Sequence, residues 1–173
     1  QSGSNKILNL MNRKHTINEY LKIFDELKDI NSNIEFSSDF IIGYPGEENE
    51  DFNDTFELIK RIKFINSYSF IFSPRPGTVA ANLKLVDKKI SIERLEKVQN
   101  QLFENQTIMN KSLENKILNV LVENFTEDKT QVFGRSEYMT SVKFNGKKDY
   151  IGKIVPVKIL QSNRSTLFGE AIN

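Results

Sequence analysis

Ser37-Ser38-Asp39-Phe40-Ile41-Ile42-Gly43-Tyr44-Pro45-Gly46-Glu47 is the stretch whose reading decides the fold. A short apolar run rich in Ile and Phe reads as a buried strand over 34–42. The Gly-Tyr-Pro-Gly turn stops it and delivers a carboxylate, and a helix pattern follows at once. Strand, glycine turn, acid, helix is how α/β folds build a ligand site at the carboxyl end of a sheet. Gly43 and Gly46 let backbone come close to a ligand where a side chain would block it.

Working outward, residues 16–30 read as an amphipathic helix. Thr16 and Glu19 make a capping box, and Ile17, Tyr20, Leu21, Phe24 and Leu27 share one face. Residues 48–63 read as the next helix, with Phe52, Phe56 and Ile59 inward. Residues 67–73 alternate like a strand until Pro74, Pro76 and Gly77 stop it. This order of elements is that of βα units around a parallel sheet. Residues 87–110 read as one long helix through Ile92, Leu95, Val98, Leu102 and Met109. Short β-like runs then follow at 117–124, 130–134, 139–145, 154–160 and 166–171, with Asn145-Gly146 as a turn signal. Five short strands of this spacing predict a small antiparallel barrel. The domain boundary is expected near Lys111, separating 1–110 from 111–173.

Composition narrows the classes. The chain has 173 residues, 38% of them hydrophobic, with 13 Phe and a net charge of +1. No apolar run approaches the ~20 residues of a membrane-spanning helix, so no membrane role is expected, and no signal peptide is evident. There is no Cys and a single His, His15. Disulfides, thiolate catalysis and thiolate-held clusters are therefore outside this chain's own residues, and no local metal site is expected. His15 reads as a surface or capping residue. Residues 1–110 hold 14 basic and 16 acidic side chains, whereas 111–173 hold 10 and 7. The basic balance of the tail is the direction a polyanionic partner requires. The opening Gln-Ser-Gly-Ser, without an initiator Met, reads as the start of a fragment.

Several motifs offer chemistry, each with a structural role competing. Gln1-Ser2-Gly3-Ser4-Asn5 presents amides and hydroxyls suited to a small polar ligand, or is an ordinary polar segment. Arg13, in Met11-Asn12-Arg13-Lys14-His15-Thr16, offers a planar fork for a carboxylate or phosphate, or belongs to a solvated basic loop. Glu47 is either a site carboxylate or a helix-start residue favoured by the dipole. Arg75 sits between Pro74 and Pro76 on a stiff backbone. In the tail, Phe133, Arg135, Tyr138, Lys143 and Phe144 interleave aromatic and basic residues as base-stacking surfaces do.

Taken in order, QSGSN, MNRKHT, SSDFIIGYPGE and SFIFSPRPGTVAA resemble the radical S-adenosylmethionine methylthiotransferases, and most closely their MiaB-type tRNA-modifying branch. Val120-Leu121-Val122-Glu123 and Gly134-Arg135-Ser136-Glu137 resemble the appended TRAM domain, a small RNA-binding β-barrel. The resemblance implies an α/β fold: the C-terminal part of a radical SAM (βα) TIM-like barrel, followed by the TRAM barrel. It implies methylthiolation of isopentenyladenosine beside the tRNA anticodon, in the cytoplasm. The cofactors implied are S-adenosylmethionine and two 4Fe-4S clusters in the full-length enzyme, their cysteine ligands lying outside this chain. The chain alone is therefore expected to be inactive. Gln1, Ser2 and Ser4 match the family's ligand-facing motif, and Asp39, Gly43 and Glu47 match the strand and turn flanking bound S-adenosylmethionine. Arg13 and Arg75 match arginines near the substrate mouth, and Arg135 a basic position of the TRAM domain. No catalytic residue is assigned within the chain. The partner implied is the anticodon stem-loop of tRNA. Alternatives are a relative acting on threonylcarbamoyladenosine tRNA or on a ribosomal protein, or a non-catalytic RNA-binding protein. Pro74 and Pro76 around Arg75 favour the tRNA branch. Glu48 departs from the family by standing where a capping Thr is common.

Overall fold

A computed structural model describes residues 1–172. The chain divides into two compact units, Gln1–Leu102 and the residues from Phe103 onward.

The first unit contains α1 (Asn5–Leu10), α2 (Ile17–Ile30), β1 (Asp39–Ile42), α3 (Asn49–Ile62) and β2 (Tyr68–Ile71). The first part of α4 (Lys88–Ser112) completes it. β1 and β2 pair in parallel, Asp39 with Tyr68 and Ile41 with Phe70. The capping box at Thr16 and Glu19 starts α2 as its sequence predicts. Alternation along β1 turns Phe40 and Ile42 into a core with Phe52, Leu58, Ile59, Phe64, Val98 and Leu102. Asp39 and Ile41 lie on the opposite face.

The strand expected over 34–42 forms only from Asp39. Before it, backbone groups are satisfied from the loop: the Phe36 carbonyl accepts from Ile65 N–H at 2.9 Å, and Ser38 N–H donates to Ser67 Oγ at 2.9 Å. β2 is likewise shorter than 67–73. One further bond, from Phe72 N–H to the Ile42 carbonyl at 2.8 Å, precedes Pro74, which has no N–H to continue the ladder.

The second unit is a closed barrel of β3 (Ile117–Phe125), β4 (Val132–Ser136), β5 (Ser141–Asn145), β6 (Ile154–Ser162) and β7 (Thr166–Ala171), in the order β3-β4-β5-β7-β6. All five expected strands are present. One pairing departs from the antiparallel expectation: β5 and β7 run parallel. Asn145-Gly146 is accordingly no hairpin turn, because β5 pairs with β4 and β7 while the chain passes on to β6. Gly146 is needed there for space, since a Cβ would run into Val132 and Tyr150. The interior is sealed by Val120, Val122, Val132, Val142, Phe144, Val157, Ile159 and Leu167, all fully buried. A Cβ on Gly134 would collide with the Leu121 carbonyl, so β4 and β3 approach this closely only with glycine. The last turns of α4 belong to this unit: buried Asn110 donates to the Asn163 and Arg164 carbonyls at 2.8 and 3.0 Å.

Candidate functional site

The Gly43–Glu47 turn is built by its own sequence. Glu47 N–H donates to the Tyr44 carbonyl at 2.9 Å, with Pro45 and Gly46 central and Gly46 at φ +89°. Pro then Gly at these positions is the chemistry of a type II turn. Arg75-Pro76-Gly77-Thr78 repeats it after β2, with Gly77 at φ +83° and Thr78 N–H donating to the Arg75 carbonyl at 3.2 Å. Both parallel strands thus lead into the same device at their carboxyl ends.

Glu47 points inward and is paired within the unit. Its side chain is 1% exposed and accepts from Arg94 Nη1 at 2.7 Å, while the Gly43 N–H donates to the same Oε1 at 3.1 Å. Arg94 also donates to the Glu47 carbonyl and to Asn49 Oδ1, and lies 5.4 Å from the centre of the Phe52 ring. Burial pushes the Glu47 carboxyl above its ordinary value, although the Gly43 N–H and Arg94 pull it down. The N-cap of α3 is Glu48, its N–H donating to Asp51 Oδ2 at 2.9 Å. Gly43 serves internal packing as well. At φ +71° it suits glycine, and a Cβ would strike Ser91 Oγ. Arg94 and Ser91, three residues apart on α4, thus lock the turn.

The hydroxyls of Ser2 and Ser4 are hydrogen-bonded within the unit. Ser2 Oγ bonds Thr55 Oγ1 at 3.1 Å and accepts from Ser4 N–H, and Gly3 N–H donates to Thr55 Oγ1 at 2.8 Å. Ser4 caps α1 through Ile7 N–H and donates to Asp51 Oδ1 at 2.6 Å. Lys6 Nζ reaches Asp51 Oδ2 at 2.8 Å. Burial raises the Asp51 carboxyl, but the bonds from Lys6, Ser4 and the Glu48 N–H outweigh it and leave the group below its usual range. Asn5 ties in α2, its Oδ1 accepting from Ile17 N–H at 2.8 Å. The Gln1–Asn5 segment is therefore a polar clasp on α3 and α2.

On the other face of the sheet, Ile41 packs with Ile7, Tyr44, Ala80 and Phe72. Asp39 is exposed and stands at the amino end of β1 rather than beside the turn; four residues of strand put it about 13 Å from Gly43. Beside it, the Gln1 carbonyl accepts from Ile41 N–H at 3.0 Å. Across from it on β2 are Tyr68 and Phe70, 66% and 55% exposed, their rings near parallel at 14° with centroids 6.4 Å apart. These aromatics escaped the sequence reading, which took the 67–73 alternation as a strand without asking which face stays uncovered. Arg13 and Arg75 are exposed on separate loops, and His15 is exposed with its ring 6.3 Å from Tyr20.

On the barrel, Arg135 is on the outer surface, with Nε 3.4 Å from Glu123 Oε1 and Nη1 donating to the Met139 carbonyl at 3.1 Å. Phe144 is core, and Tyr138 packs against that core, which removes both from the expected stacking set. Phe133 and Lys143 face outward as directly opposed partners of β4 and β5.

Among the described residues no group of His, Asp and Glu is arranged to hold a metal ion. With no cysteine in the chain, an iron–sulfur cluster does not fit its residues. Tyr68 and Phe70 present near-parallel ring faces on the strand paired with that of Asp39, chemistry suited to a planar adenine.

Residues 1–59 match the Radical SAM superfamily, and residues 111–172 match the TRAM domain. A segment of radical SAM domain followed by a TRAM barrel defines the class of protein. The chain is similar to three bacterial proteins named tRNA-2-methylthio-N(6)-dimethylallyladenosine synthase. That of Pelagibacter ubique (strain HTCC1062) is 67% identical over 170 residues, covering 98% of this chain and 38% of the relative. That of Wolbachia pipientis wMel is 44% identical over 179 residues, covering 100% and 40%. That of Rickettsia felis (strain ATCC VR-1525 / URRWXCal2) is 43% identical over 174 residues, covering 99% and 39%. The chain spans 38–40% of the length of these curated relatives.

Proposed function

We propose that this chain is the part of a tRNA-2-methylthio-isopentenyladenosine synthase that supplies the later βα units of the radical SAM barrel and the TRAM domain, with the domain boundary near Lys111. The parent enzyme methylthiolates isopentenyladenosine beside the anticodon of cytoplasmic tRNA. The observation that carries the reading is the 67% identity running through both units at once. Within the parent, S-adenosylmethionine and two 4Fe-4S clusters supply the radical and the sulfur chemistry, on ligands outside this chain.

The chain's own residues divide the work. Gln1 and Asp39 offer polar atoms to the hydroxyls and amine of S-adenosylmethionine, and Tyr68 and Phe70 give a flat wall for an adenine. Ser2, Ser4, Gly43 and Glu47 line the cofactor's side of the site and fix the turns that flank it. Arg13 and Arg75, exposed and held on short loops, take the phosphates or carboxylates of substrate, and Arg135 does so on the barrel.

Replacing the matching segment of a relative with these residues, in a strain lacking its own synthase, is expected to restore 2-methylthio-isopentenyladenosine in digested tRNA; the chain alone is expected not to. Appearance of methylthiolated threonylcarbamoyladenosine instead would transfer the chain to that branch. In the same chimera, Asp39→Ala is expected to lower deoxyadenosine formation at limiting S-adenosylmethionine, and unchanged formation would reject the role given to Asp39.

A further inference from the structure

The barrel registers assemble a row that its sequence scatters. Phe133 of β4 lies opposite Lys143 of β5, and Lys143 lies beside Phe168 of β7. All three point outward, since Val132, Val142, Phe144 and Leu167 next to them are sealed in the core. Both rings and the lysine stem are half-buried, so packing fixes their positions while part of each meets solvent. Neighbouring strands are about 4.8 Å apart, which spaces the two rings about 10 Å with the ammonium between them. Lys143 stands outside the Lys111–Glu114 and Arg135–Glu123 ion pairs of this unit, so those acids do not neutralise it. The next row carries Arg135, Ser141 and Thr166 in the same register, adding a guanidinium and two hydroxyls. The remaining wall differs. β3 and β6 expose Ile117, Leu121, Ile154 and Leu160, which are aliphatic and offer no π surface.

We infer that Phe133, Lys143 and Phe168 form a stacking platform for unpaired RNA bases. Each ring takes the face of one base, and Lys143 takes the phosphate of the backbone that links them. Duplex RNA hides its base faces in its own stack, so the platform selects a loop over a stem. The inference rests on the proposed tRNA reading and deepens it by naming the barrel sector and the part of the RNA.

The full chain contains no tryptophan, so Phe168→Trp introduces a single reporter. A synthetic hairpin RNA with an unpaired loop is expected to quench its emission, and a blunt duplex of the same composition is not. Ile117→Trp, on the other side of the barrel, should be quenched by neither. By fluorescence anisotropy, Phe133→Leu and Phe168→Leu, which keep an apolar side chain, are each expected to weaken hairpin binding about tenfold. Lys143→Gln should weaken it less and lower the slope of log affinity against log salt by about one. Native hairpin affinity in both leucine variants, with no quenching in Phe168→Trp, overturns the platform and leaves the tRNA reading standing. Absence of hairpin binding by the unsubstituted chain at low salt removes both.

Discussion

In the α/β unit the polar residues Ser2, Ser4, Glu47, Asp51, Thr55 and Arg94 are buried and paired, Ser2 with Thr55, Ser4 with Asp51 and Glu47 with Arg94, whereas the strands of the barrel enclose a mainly apolar core. In the first unit Ser4 caps α1 and Thr16 caps α2, so loops, helix starts and their polar groups carry much of the wiring. Five strands that close on themselves leave no edge, and alternation alone separates inside from outside. The difference teaches how to read a polar motif. In the α/β unit, conspicuous Gly and Glu residues build the turn, as Gly43 and Glu47 do. In a closed barrel, alternation turns every second residue outward, and register decides which of them lie together.

The sharpest way to break the comparison is to empty the barrel. Phe144→Ala removes a fully buried ring and should cost about 3–5 kcal/mol. Hydrogen exchange is expected to show lost protection across β3–β7 while α3 keeps its own. Equal loss in both units would mean that they unfold as one and that the contrast drawn between them is not energetic.

A second test addresses the wired interior. Arg94→Met leaves the Glu47 carboxylate buried without its partner. Removing one side of a buried pair costs about 3–5 kcal/mol, and the low end is expected because Glu47 already holds its proton more tightly than an ordinary glutamate. The sign of the pH dependence follows. In the variant the Glu47 pKa rises further, so the folded state binds a proton that the unfolded state releases. The penalty is full above the raised folded value and fades as pH falls toward the ordinary carboxylate range. Urea unfolding of both proteins across mildly acidic pH should show the gap closing on acidification. A pH-independent gap would show that Arg94 matters through its packing on Phe52 and not through its charge.

These contrasts also explain what could be read in advance. Local rules were enough for Thr16 and Glu19 and for all five barrel strands, because caps depend on residues three apart and strand faces on residues two apart. The family's motifs were legible as a string. Their roles were not: Glu47 meets Arg94 and Ser4 meets Asp51 across 47 residues in each case, and no periodicity links such positions. Asp39 reads as mid-strand because the apolar run around it looks continuous, whereas hydrogen bonds to Ser67 and Ile65 delay the ladder. The parallel β5–β7 pairing was invisible for the same reason, since strand composition says nothing about strand order.

The smallest expected effect separates local from tertiary stabilisation within the α/β unit. Thr16 Oγ1 accepts from Glu19 N–H, and Glu19 Oε2 accepts from Thr16 N–H at 2.7 Å, all of it solvent-exposed. Thr16→Ala should cost about 1 kcal/mol, the usual worth of a cap. Because α2 contributes only partly buried side chains to its core, the loss should appear as fraying of the first turn: faster amide exchange at Ile17–Tyr20 with little change in the unfolding midpoint of α3. A midpoint shift as large as that of Arg94→Met would mean that the clasp from Asn5 to Ile17 N–H transmits the cap into the core, and that the exposed start of α2 belongs to the same wired network as Ser4 and Asp51.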